Sequence, residues 1–100
     1  SMTFRDVDRL LDVGGGHGAF LRQIGTAWPH LKLGLFDLPE VAVTGAQLLG
    51  EALGAGRVTG HPGNFFSDSI PEGYDMVSLV RILHDHDDAP AGALLRRIAD

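Results

Sequence analysis

Gly14-Gly15-Gly16-His17-Gly18 is the densest group of residues in this chain that could do chemistry. Glycine at Gly14, Gly16 and Gly18 lets the backbone turn tightly and approach a ligand with no side chain in the way. A helix starting there presents unpaired N–H groups and a partial positive charge, suited to a carboxylate or phosphate. Asp12 stands just before the turn, and Asp37 is a second carboxylate that could accept both hydroxyls of a ribose. Two further groups are Gly63-Asn64-Phe65 and His84-Asp85-His86-Asp87-Asp88. The second invites a metal reading, but no partner group elsewhere in the chain completes a ligand set, and Asp87 and Asp88 more simply cap a following helix. No metal is expected.

Two cofactors fit the glycine turn. Continued to Ala19, it matches the dinucleotide pattern G-x-G-x-x-A, so an NAD-dependent oxidoreductase remains a competitor. Asp12 favours the other: a carboxylate there would repel a pyrophosphate but attract the ammonium of the methionine end of S-adenosylmethionine (SAM). Asp37 suits either nucleoside. It also has a bland reading as the N-cap of a helix starting near Pro39.

The elements that must position these residues alternate in type. Arg9 to Val13 reads as a buried strand running into the glycines. From Ala19, the spacing of Phe20, Leu21, Ile24, Ala27 and Trp28 predicts a helix that Pro29 closes. Phe20 and Trp28 are expected in the core. Leu31 to Phe36 is a second strand. A helix follows from Pro39, with Val41, Leu48, Leu49, Ala52 and Leu53 on one face, until Gly54-Ala55-Gly56 stops it. Arg57 to His61 and Tyr74 to Val80 read as two more strands, and Ala91, Leu94, Leu95 and Ile98 as a last helix. His17, His30 and His61 are given no role.

Strand–helix alternation predicts an α/β fold, a Rossmann-like parallel sheet flanked by helices. Ligands in such sheets bind beyond the carboxyl ends of the strands. All the polar groups above fall at those ends, and that convergence carries the reading.

The totals agree. The hydrophobic share of 44% is that of a globular fold. A net charge of -5 with only eight scattered basic residues gives no footprint for nucleic acid. Cysteine is absent, which excludes disulfides and thiolate metal sites. No apolar run is long enough for a membrane span, and a cytoplasmic protein is expected. Ser1-Met2 looks like a tag remnant and start, and residues 3–100 read as part of a longer enzyme, since the last helical pattern runs to Asp100 without a capping glycine.

Four motifs carry a resemblance that spans Leu10 to about Ile98. Leu11-Asp12-Val13-Gly14-Gly15-Gly16-His17-Gly18 resembles the first motif of the class I SAM-dependent O-methyltransferases of plants and bacteria. Phe36-Asp37-Leu38-Pro39-Glu40-Val41 resembles their second-strand signature, and Gly63-Asn64-Phe65-Phe66 their Gly-Asp-(Met/Phe)-Phe loop. Arg81-Ile82-Leu83-His84-Asp85-His86-Asp87-Asp88 is similar to their catalytic segment.

The resemblance implies strand order 3-2-1-4 and transfer of a methyl group from SAM to a hydroxyl of a small hydrophobic molecule. It implies that Gly14, Gly16 and Gly18 cradle the methionine end and that Asp37 holds the ribose. Leu38 would pack on the adenine, Asn64 and Phe65 would contact the adenine amine and ring, and His84 would be the general base. Asn64 departs from the usual Asp, and His86 from the usual Trp. The string Leu79-Val80-Arg81-Ile82-Leu83-His84-Asp85-His86-Asp87-Asp88 is similar to the bacterial carotenoid branch, the demethylspheroidene or hydroxyneurosporene O-methyltransferases, which implies a tertiary hydroxyl on a polyene as acceptor.

The family's remaining strands, the acidic residues that orient its histidine and its dimerisation domain have no counterpart in these residues. The resemblance implies a homodimeric parent. The 100 residues alone are expected to bind SAM weakly without turnover and to self-associate through an exposed fourth strand. A SAM-binding module without catalysis is the third alternative.

Overall fold

The computed structural model describes residues 3–80 and 95–97. Among the described residues, five strands form one sheet in the order β3-β2-β1-β4-β5. They are β1 (Arg9–Val13), β2 (Lys32–Asp37), β3 (Val58–Pro62), β4 (Met76–Ser78) and β5 (Leu95–Arg97), with helices α1 (Ala19–Ala27) and α2 (Pro39–Leu53) between β1 and β3. The first four strands are parallel, so the expected order 3-2-1-4 is present. Their registers pair Val13 with Phe36, Asp37 with Pro62 and Asp12 with Ser78, which brings the carboxyl ends of all four to one edge.

Side-chain alternation along the strands sorts residues onto two faces. Leu10, Leu33 and Leu35 point to the first face, where Leu21 of α1 and Leu49 of α2 complete a buried cluster with Phe4, Val7 and Leu31. Phe20 and Trp28 pack against this cluster, as their spacing predicts. Leu11, Val13, Phe36 and Val77 point to the second face, where Tyr74 and Phe65 lie over them. Both covering rings come from residues 63–75, which cross between β3 and β4 without a helix among them.

Helix α2 differs from expectation in the face it buries. Its buried residues are Ala42, Gly45 and Leu49, whereas Leu48 is exposed and Ala52 faces solvent. Small residues are selected because the helix lies close on the sheet. A Cβ on Gly45 would stand 2.4 Å from Leu35 Cδ2 and 2.5 Å from the Gly16 carbonyl oxygen, and one on Gly60 would stand 2.9 Å from Ala46 Cβ. Helix α1 is tied down at its far end by Arg57, whose Nη2 donates to the carbonyls of Gly25 and Trp28, both at 3.1 Å. A cation on these last carbonyls complements the helix dipole.

Three expectations in the last part of the chain are corrected. The helical pattern expected around Leu95 is replaced over Leu95–Arg97 by β5, which pairs antiparallel with β4. The outer edge of β4 presents unpaired backbone donors and acceptors, and β5 satisfies them. With Met76–Ser78 covered in this way, self-association through an open β4 edge loses its basis. The fourth strand is also shorter than the expected Tyr74 to Val80.

Candidate functional site

The glycine turn leaves β1 and enters α1 as a left-handed path, with φ of 71° at Gly14, 65° at Gly16 and 87° at Gly18. Side chains with a Cβ rarely adopt such angles, which is why the turn needs glycine. Gly14 N–H donates to the Phe36 carbonyl at 2.7 Å, so the turn starts out pinned to β2. Gly18 is the N-cap of α1 and makes no side-chain cap. Its own N–H closes a tight bond to the Gly15 carbonyl at 3.1 Å.

Asp37 lies across from the turn and holds it. Its Oδ2 accepts the Gly16 N–H at 2.9 Å, and its Oδ1 accepts the Leu38 N–H at 2.7 Å. A carboxylate has about four lone-pair sites, so two such bonds leave capacity for ribose hydroxyls. Asp37 is not the N-cap of α2: Leu38 holds that place, with no side-chain cap. Leu38 is 53% exposed beside it, an apolar side chain turned to the surface at a strand end. Pro39 then starts the helix at a position where its missing N–H costs nothing.

The loop after β3 is joined to the same place. Gly63 N–H donates to the Asp37 carbonyl at 2.9 Å. Asn64 organises the residues after it: its Oδ1 accepts the Phe66 N–H at 2.9 Å, and its own N–H donates to Asp68 Oδ2 at 2.7 Å. The side-chain oxygen expected at the adenine amine thus also holds its own loop. Phe65 is half-buried against the second-face cluster, and its ring lies 4.2 Å from that of Phe66, which is 79% exposed.

Asp12 is buried, at 1% exposure. It sits beneath the turn: a Cβ built on Gly15 would lie 2.4 Å from its Oδ2. Its Oδ1 accepts the Ser78 hydroxyl at 2.7 Å.

The structure thus gathers Asp12, Gly14, Gly16, Gly18, Asp37, Leu38, Asn64 and Phe65 at one edge of the sheet. His84 and Asp85 to Asp88 lie outside the described residues. Sequence reasoning missed Gly15 and Ser78, which bracket Asp12. It also left His61 without a role, yet His61 Nε2 lies 2.6 Å from Tyr74 Oη, with the rings edge to face at 5.6 Å. Burial lowers the pKa of His61 and raises that of Tyr74, the latter offset in part by the guanidinium of Arg9. Among the described residues no helix is long and apolar enough to cross a membrane.

Comparison with known proteins gives the same answer from another direction. The family model described as O-methyltransferase domain matches residues 1–100. Demethylspheroidene O-methyltransferase of Cereibacter sphaeroides is 52% identical over 94 residues, 94% of this chain and 25% of that protein. Acetylserotonin O-methyltransferase of Homo sapiens is 36% identical over 89 residues, 89% of this chain and 25% of that one. Among solved structures, the mitomycin 7-O-methyltransferase MmcR superposes with a TM-score of 0.76 at 33% identity, over 85% of this chain and 25% of its own. Human N-acetylserotonin methyltransferase in complex with SAM gives 0.68 at 32% identity, over 84% and 23%. The chain spans about a quarter of the length of the curated relatives it matches. With the turn, the paired carboxylates and the parallel sheet all in the arrangement its motifs imply, the chain belongs to the O-methyltransferase family.

Proposed function

We propose that this chain is the cofactor-binding part of a longer SAM-dependent O-methyltransferase. The observation that carries the reading is the bond from Gly16 N–H to Asp37 Oδ2, which joins a bare glycine turn to a carboxylate at the neighbouring strand end. That arrangement fits a nucleoside with a charged amino-acid tail: a backbone cradle for the tail and a carboxylate for the ribose. The exposed side chain of Leu38 and the half-buried ring of Phe65 give apolar surface for the adenine.

In this reading Gly14, Gly16 and Gly18 receive the methionine end, while Asp12 favours its ammonium by charge from below. Asp37 accepts the ribose hydroxyls, and Asn64 accepts from the adenine amine. SAM, when bound, supplies the methyl group as an electrophile. His84 takes the proton from the acceptor hydroxyl, a role suited to an imidazole whose unperturbed pKa of ~6.5 leaves it neutral near pH 7. The 52% relative named demethylspheroidene O-methyltransferase supports an acceptor of that class, a hydroxylated carotenoid. A tertiary alcohol is barely acidic, so proton removal has to accompany transfer. The parent is read as a cytoplasmic homodimer.

Calorimetric titration of the parent protein with S-adenosylhomocysteine (SAH) and NAD side by side tests the reading. SAH is expected to bind and NAD to give no heat. NAD binding without SAH binding would overturn it.

A further inference from the structure

We infer that Ser78 is a positioning residue for the cofactor turn, acting through the buried carboxylate of Asp12, an inference that rests on the turn being the SAM site. Ser78 is fully buried on β4 and is the register partner of Asp12 on β1. Its hydroxyl lies 2.7 Å from Asp12 Oδ1 and 3.4 Å from the Leu11 carbonyl oxygen. One hydroxyl proton serves one acceptor at a time, and the shorter contact to a charged oxygen takes it.

The other end of the same carboxylate supports the turn. Oδ2 lies so close under Gly15 that no Cβ could be fitted between them, and Leu35 Cδ1 closes the space from the side at 2.6 Å from the same point. The carboxylate is thus a spacer with Ser78 at one oxygen and the turn backbone at the other. Where Ser78 holds Oδ1, the position of Oδ2 beneath Gly15 is set as well. A hydroxyl is also costly at this place unless it is bonded, because Ser78 sits in an otherwise apolar run, Met76-Val77-Ser78-Leu79-Val80. Its bond to Asp12 meets that cost and keeps the carboxylate oriented under the glycines.

The test is a double-mutant cycle in the parent protein, read as the SAH dissociation constant by calorimetry, with Ser78→Ala, Asp12→Asn and the pair. Ser78→Ala is expected to weaken SAH about tenfold, the worth of one hydrogen bond to a charged group. In the Asp12→Asn background the same change is expected to cost about threefold, because the hydroxyl then bonds a neutral amide oxygen, a contact about half as strong. Steady-state kinetics supply a second readout: KM for SAM rises about tenfold while kcat stays within about threefold, as for a residue that acts on binding alone. Unchanged SAH affinity in Ser78→Ala would overturn the inference. So would equal factors in both backgrounds, or a fall in kcat with KM unmoved. Wild-type protein that does not take SAH removes the functional reading and this inference together, whereas wild-type binding with an indifferent Ser78→Ala removes the inference alone.

Discussion

The two faces of the sheet are held by different means. The first face is closed by two helices, the second so near that Gly45 and Gly60 admit no larger side chain, and its buried residues are almost all aliphatic. The second face is covered, among the described residues, by aromatic rings from the β3–β4 crossover, with a histidine–tyrosine bond in place of a helix contact. The glycine turn is built on the first face: Asp12, Leu35 and Gly45 all touch it. The loop with Asn64 and Phe65 is built on the second. One half of the site is therefore set by dense packing and the other by a few polar and aromatic contacts.

That contrast makes Leu35 the most sensitive point. It is fully buried, and its two methyl groups face Gly15 and Gly45, so it fills the space between the turn and α2. Leu35→Ala should cost about 2–5 kcal/mol of stability, the range for a cavity in a packed core, measured as the loss in urea unfolding free energy. SAH affinity should fall with it, since the turn loses its support. A loss below about 1 kcal/mol would mean that the first face is no more rigid than the second.

Gly34→Ala probes the other side. A Cβ at Gly34 would stand 2.3 Å from Tyr74 Oη and 2.5 Å from Cζ, so the ring must move off the sheet. The expected cost is about 1–3 kcal/mol, because an exposed loop yields more easily than a helix. The turn should keep its geometry, and the methionine end its contacts. Any weakening of SAH should then come from the Asn64–Phe65 loop. If Gly34→Ala damaged binding as severely as Leu35→Ala, the two halves of the site could not be treated separately.

The same contrast explains what could be read from the sequence. Strand β1 and helices α1 and α2 were legible because each has a strong local signal: an apolar run into glycines, an apolar stripe closed by Pro29, and Pro39 at the start of a second stripe. The site residues at the strand ends were legible because a parallel sheet brings its carboxyl ends together whatever its details. Ser78 was not legible, since its partner Asp12 lies 66 positions away and a lone serine in a strand carries no pattern. Nor was the buried face of α2: hydrophobicity selects Leu48, while close approach selects Ala42 and Gly45. Leu95–Arg97 reads as helix by spacing, but three residues beside an open strand edge are decided by pairing. His61 offers no signal until Tyr74 folds over it.

The smallest expected effect is a pH dependence confined to the second face. Burial lowers the pKa of His61 below its ordinary 6.5, so the folded chain resists the proton that the unfolded chain accepts. Above 6.5 the imidazole is neutral in both states and the fold keeps its full stability. As pH falls below that value, the unfolded state takes up a proton first, and stability declines until the folded value is passed. The slope thus lies on the acid side of 6.5, opposite in sense to that of a histidine stabilised by an anionic partner. Tyr74 adds nothing in this window, because burial moves it upward from 10.0. Urea midpoints at about pH 7.5 and about pH 5.5 should differ more in the wild type than in His61→Gln, which keeps a polar group near Tyr74 but cannot titrate. Carboxylates add their own slope at lower pH, but it is common to both proteins and cancels in the comparison. Equal differences in the two would show that His61 is as open to water when folded as when unfolded, and that the second face is looser still than its ring contacts imply.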